Sequence, residues 1–202
     1  MIHLRLLPFI FLSLSLSSCM EAVDGFRLEP AELISERQFW ILNFGLESTT
    51  ISRNRCELLG ASEFSRVYAC ESILGIYSAE QLETIESNIG NIFDALVYPR
   101  LTTIFGPPPS RFADGRINIA LHDIDDENLG GDARAGGYFR LADQFPTAEP
   151  EAARAGVSNE ANVLIMDPTI VADITEPASA FYQTLAHEFF HMLSFRAKVE
   201  SR

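Results

Sequence analysis

The stretch 179–195 limits the fold more than any other part of the 202-residue chain. It holds neither proline nor glycine, and Phe181, Leu185, Phe189, Met192 and Phe195 recur at steps of three and four. That spacing predicts a helix that buries one apolar stripe. Glu176-Pro177 reads as its start, because a proline in the first turn lacks an N–H that would have no partner there anyway. Inside it lies His187-Glu188-Phe189-Phe190-His191. Helical positions four apart share a face, so His187 and His191 present their imidazoles to a single ion. The donor set suits zinc, and Glu188 is placed to act on a zinc-activated water. The plain alternative is an amphipathic core helix with two satisfied histidines and a salt-bridging glutamate. We prefer the metal, since lone histidines are often structural but this triplet rarely is.

The N-terminus pairs Arg5 with an apolar run over residues 6–16 and then Leu16-Ser17-Ser18-Cys19. The run is too short to span a bilayer and fits a secretory signal over residues 1–18. A cysteine directly after small residues suggests cleavage before Cys19 and lipid attachment there; an ordinary signal with an incidental cysteine is the alternative. The expected address is extracytoplasmic, as a bacterial envelope lipoprotein or a secreted protein, with membrane contact through the lipid anchor alone. Removing residues 1–18 takes away one arginine and no acid, so the net charge moves from −13 to −14. Such acidity argues against nucleic acid as a partner, because phosphate binding is driven by Lys and Arg. Two cysteines remain, Cys56 and Cys70. In an oxidising compartment a close even pair suggests a disulfide; free thiols or metal ligands are the alternatives.

Removal of the signal leaves about 184 residues, enough for one domain with a proper core and a small appendage. Residues 19–35 read as a tether. Short apolar runs such as Phe39-Trp40-Ile41-Leu42 and Val67-Tyr68-Ala69-Cys70 predict a small β-rich module over 36–77. Ser78-Ala79-Glu80-Gln81 matches a capping box. The helix it opens should run to about Val97, burying Ile85, Ile89, Ile92, Phe93 and Leu96, with Pro99 bending or ending it. Gly106-Pro107-Pro108-Pro109 is a break. Strands follow at 117–121, from 136, and at 163–166, and then the histidine helix. A backing helix, a mixed sheet and an active-site helix make an α/β (α+β) domain over 78–202. Asp123, Asp125, Asp126 and Asp132 crowd around Gly130-Gly131, and oxygen ligands on a loop are what Ca2+ takes. The spacing is not that of an EF-hand, so a solvated acidic loop is the first reading and calcium the second.

Four stretches together resemble the hyicolysin-type family of bacterial secreted zinc metallopeptidases. They are Ile117-Asn118-Ile119-Ala120-Leu121-His122-Asp123-Ile124-Asp125, then Gly136-Gly137-Tyr138-Phe139, then residues 158–167, and finally residues 184–195 with the histidine pair. Only the last is specific alone; the others add weight by their order. The resemblance implies a zincin fold, of which this chain carries the N-terminal half, and hydrolysis of proteins or peptides outside the cytoplasm. It implies His187 and His191 as zinc ligands and Glu188 as the catalytic acid/base. It also implies a further acidic ligand on a following helix. Glu200 stands nine residues past His191, about 13 Å along a continuing helix, out of reach of the ion. Ser194 and Ala197 stand where the metzincin extension wants glycine and a third histidine. The expectation is therefore an incomplete site, with the third ligand and the oxyanion stabiliser outside residues 1–202.

In such a site Glu188 takes a proton from the attacking water and passes it to the leaving amine. A strand such as 162–166, if it lay at the sheet edge, would align a substrate by main-chain pairing. Two other classes stay open. One is a pseudoenzyme or surface-binding lipoprotein that keeps the fold without catalysis; the other is a structural lipoprotein with an accidental match.

Overall fold

A computed structural model describes residues 35–44, 49–112, 115–124, 135–149, 156–170, 174 and 179–199. Cys19, the signal segment, residues 19–34 of the tether, Asp125, Asp126, Asp132, Glu176-Pro177 and Glu200 lie outside the described residues.

The chain forms β1 (Glu36–Phe44), β2 (Thr49–Ala61) and β3 (Ser65–Cys70), followed by a single helical turn, α1 (Glu71–Leu74). Next come α2 (Ala79–Ile92), a π-helical turn (Phe93–Val97) and α3 (Tyr98–Phe105). Then follow β4 (Ile117–Leu121), β5 (Gly137–Phe139), a 3-10 turn (Leu141–Gln144), β6 (Val163–Met166) and α4 (Ala180–Val199). The strands make one six-stranded sheet in the order β1-β2-β3-β4-β6-β5. β3, β4 and β6 run parallel; β1, β2 and β5 pair antiparallel. This is a mixed α/β fold.

Every residue of β3, β4 and β6 is buried, as expected for strands covered on both faces. Alternation divides their side chains. Val67, Ile117, Ile119, Leu121, Leu164 and Met166 face the helices. Tyr68, Ala120, Val163 and Ile165 face the other way, where Phe39 and Ile41 of β1 join them. The strands within 36–77 share one sheet with β4, β5 and β6. β3 pairs with β4 from Ser65↔Ile117 to Ala69↔Leu121, so β1 and β2 extend the same sheet. β3 makes the join, because its main chain pairs with β2 on one side and β4 on the other. Cys56 and Cys70 are direct cross-strand partners in the β2–β3 register and are joined by a disulfide. In the chain-entropy model a loop of 14 residues closed this way stabilises by roughly 3 kcal/mol.

The capping box at Ser78 forms in both directions. Gln81 N–H donates to Ser78 Oγ at 3.3 Å, and Ser78 N–H donates to Gln81 Oε1 at 2.8 Å. The helix then continues past Val97 to Phe105. Pro99 lacks an N–H, and its ring would strike a carbonyl in the preceding turn of a regular helix. The wide turn at Phe93–Val97, closed by Tyr98 N–H onto Phe93 O, relieves that clash. The extra residue also shifts the phase of the buried face. Val97 is buried where regular periodicity expected Leu96, and Leu96 is exposed. Gly106 ends α3 at φ 82°, a conformation that L side chains rarely adopt.

At the far edge β5 lies tight on β6. A Cβ on Gly137 would stand 2.8 Å from the main-chain oxygen of Ile165, so this approach requires glycine. The edge strand is therefore β5, and the 162–166 stretch offered as a possible edge lies inside the sheet between β4 and β5. β6 pairs with β4 on one side and β5 on the other, so no main-chain edge of it is left for a substrate.

Candidate metal centre

The stripe of α4 is buried as its spacing demands: Phe181, Leu185, Phe189, Met192 and Phe195 all lie inside. Phe189 packs edge-on to Phe93 at 5.1 Å between ring centroids and stacks on Tyr98 at 5.6 Å. This contact with the bent α2–α3 helix fixes the rotation of α4 about its axis. Fixing it turns His187 and His191 outward, where both are exposed.

The two rings meet at right angles with centroids 4.5 Å apart, and their Nε2 atoms are 2.9 Å apart. Two neutral imidazoles at that distance share a proton, one donating and the other accepting. A tetrahedral ion bound to both at about 2.0–2.1 Å would set the nitrogens about 3.3 Å apart. Small rotations of two exposed rings cover that difference.

Glu188 lies beside the pair and half-buried. Its Oε2 accepts the main-chain N–H of Phe139 on β5 at 2.9 Å. Burial pushes its carboxyl above the usual range, while the Phe139 N–H and the two histidines pull it back. One ligand atom from each of His187, Glu188 and His191 lies within 4.8 Å of the others. Among the described residues this is the sole such group of His, Cys, Asp and Glu. The donor set fits zinc: two nitrogens converge at the surface, and the carboxylate is drawn off them by the strand. A third protein ligand is not among the described residues.

Sequence reasoning missed the part played by β5. Gly136 O accepts the N–H of Asp167 at 3.0 Å, so residues 136 and 138 direct their main-chain groups at β6. Gly137 and Phe139 direct theirs outward, toward α4. Beyond this point the strand and helix border an open, groove-like cavity of about 540 Å3. Phe139, Leu141, Phe195 and Val199 supply apolar walls, Ser194 and Lys198 supply polar ones, and Glu188 and His191 border it. The Gly136-Gly137-Tyr138-Phe139 motif was the available signal, read as a strand without its position at the edge.

The other candidates lie apart. Ser72 Oγ is 3.0 Å from Nδ1 of buried His122 and accepts the N–H of Asp123 at 3.1 Å. Asp167 accepts the N–H groups of Ile124 and Thr169 at 3.0 and 2.7 Å. These bonds tie together the ends of β3, β4 and β6. Asp123 is the one described residue of the four aspartates weighed for calcium, and calcium draws no support. No helix among the described residues is long and apolar enough to cross a membrane.

No family model matches the chain. The neutral metalloprotease ShpI of Staphylococcus hyicus is 33% identical over 115 residues, which make up 55% of this chain and 24% of that protein. The match thus spans about a quarter of the relative's length. With the His-Glu-His group it supports a metallopeptidase family.

Proposed function

We propose that the chain holds the metal-binding part of the active site of a hyicolysin-type zinc metallopeptidase that cleaves peptide bonds outside the cytoplasm. The observation that carries this is the convergence of His187 and His191 beside a glutamate anchored to an open strand edge. The Cys56–Cys70 disulfide suits an oxidising compartment. His187 and His191 would hold zinc, which when bound supplies Lewis acidity that polarises a carbonyl and makes water nucleophilic near neutral pH. The residues of the chain do the rest. Phe139 N–H holds Oε2 of Glu188 and leaves Oε1 for the proton. Glu188 accepts that proton from the attacking water and delivers it to the leaving amine. The outward main-chain groups of Gly137 and the carbonyl of Phe139, whose N–H Glu188 already takes, offer an edge on which a peptide can lie as an added strand.

The test combines metal analysis with a peptide-hydrolysis assay on the full chain. One equivalent of zinc is expected, lost in His187→Ala and in His191→Ala. Glu188→Gln should keep the zinc and lose hydrolysis by roughly 10²–10⁴-fold. Zinc retained by either alanine variant would sink the ligand assignment. Zinc bound with no hydrolysis by the unaltered chain would favour the surface-binding alternative.

A further inference from the structure

We propose that the cavity beside His191 is the subsite for a bulky apolar side chain on the N-terminal side of the cleaved bond. This rests on the metallopeptidase reading above. The cavity is continuous with the candidate centre, because Phe139, Glu188 and His191 border both. Its direction from the centre follows from how β5 and α4 lie together. Gly136 meets Thr184, whereas Phe139 meets Glu188 and, ring to ring at 6.4 Å, Phe195. Strand and helix therefore run the same way, and Leu141 and Val199 mark the cavity beyond the histidines at the C-terminal ends of both.

A peptide added to the open edge of β5 pairs best antiparallel, as β6 already does on the other side. Antiparallel pairing sets the peptide's N-terminal residues against Phe139 and Leu141, and its C-terminal residues against Gly137. The residue entering the cavity then precedes the cleaved bond. The walls set the side-chain class. Phe139, Leu141 and Phe195 favour an aromatic or large aliphatic group. The ammonium of Lys198 disfavours a basic one, and the carboxylate of Glu188 an acidic one. A volume of about 540 Å3 admits a phenylalanine side chain with room to spare.

The probes are dye-labelled peptides Ala-Ala-X-Ala-Ala, with X as Phe, Leu, Ala, Lys or Glu. With the zinc-loaded full chain, cut positions are read by mass spectrometry. Phe and Leu should be cleaved at least 10-fold faster than Ala, Lys or Glu, with the cut on the C-terminal side of X. Leu141→Asp and Val199→Asp alter positions that are 51% and 42% exposed, so the fold tolerates them. Each should shrink the preference, read as the ratio of Phe-peptide to Ala-peptide cleavage within the same variant, to within about 3-fold. A preference mapped to the residue after the cut, or one unchanged in both variants, overturns the proposal. A second readout needs no turnover: fluorescence anisotropy with the zinc-free chain. Phe-peptide binding about 10-fold tighter than Ala-peptide binding, lost in Leu141→Asp, supports the cavity even where nothing is hydrolysed. In that case only the protease reading fails. Equal binding of the two peptides overturns the subsite.

Discussion

At the β1 edge of the sheet, unpaired main-chain groups are taken by side chains from distant parts of the chain. Asn159 Oδ1 accepts the N–H of Trp40 at 2.7 Å, and its Nδ2 donates to Trp40 O at 3.0 Å. The hydroxyl of Tyr138 accepts the N–H of Leu42 at 2.7 Å. At the β5 edge, the outward N–H of Phe139 is given to Glu188 and the outward groups of Gly137 face the cleft. A long bare edge recruits other strands, so capping Trp40 and Leu42 in the middle of the nine-residue β1 makes that edge a poorer template for another chain. Leaving the three residues of β5 open costs little in that respect, and under the proposed function it is where a peptide would lie. Successive residues of β5 serve the two purposes, since Tyr138 reaches across to β1 while Phe139 turns to the helix. The sheet must curl to allow this, and the edge-on contact of Phe44 with Tyr138 at 5.8 Å shows that it does.

The contrast can be broken at either edge. The largest effect on activity is expected at the open one. Phe139→Pro removes the N–H that holds Glu188 but no bond to β6, and proline is tolerated where an edge N–H points away from the sheet. Hydrolysis should fall about 10-fold further than in Phe139→Ala, which controls for the lost ring, while zinc stoichiometry stays the same. Equal activity of the two variants would mean that the strand does not position the carboxylate. At the closed edge, Asn159→Ala deletes both bonds to Trp40 and one to Asp143 Oδ2. Urea denaturation should show a loss of about 2–4 kcal/mol with zinc affinity unaltered; a stable variant would show that water replaces the plug.

The smallest effect concerns the middle of the sheet. Burial holds His122 below its ordinary value of 6.5, against the opposing pull of Asp123. Between the folded value and 6.5 the unfolded chain binds more protons, so this contribution to stability is complete above that window and falls as pH drops through it. His122→Asn should make the loss of stability between pH 7.5 and 5.5 smaller, as measured by urea midpoints. An unchanged slope would exclude His122 as its source.

Features written within a few residues are legible in the sequence itself. The capping box at Ser78 and Gln81, the stripe from Phe181 to Phe195 and the three apolar strands are periodic or adjacent patterns. The α/β order of elements follows from them. What the sequence conceals depends on distant partners or on a local break in periodicity. Asn159 meets Trp40 from 119 positions away, and Glu188 meets Phe139 from 49. No spacing rule announces such a pairing. The exchange of Leu96 for Val97 arises because one wide turn resets the count, and Pro99 hints at disruption without saying what form it takes. The choice of β5 over β6 as the edge turns on strand order, which hydrophobic pattern alone does not encode.

Gly137 sets the width of the cleft by what it lacks. With only hydrogen there, β5 sits against the Ile165 carbonyl; one methyl group would wedge the strand outward toward α4. Glu188, tethered to Phe139 on the same short strand, would be carried with it. The place of the Glu188 carboxyl beside two exposed imidazoles is thus tied to a missing carbon on the opposite wall.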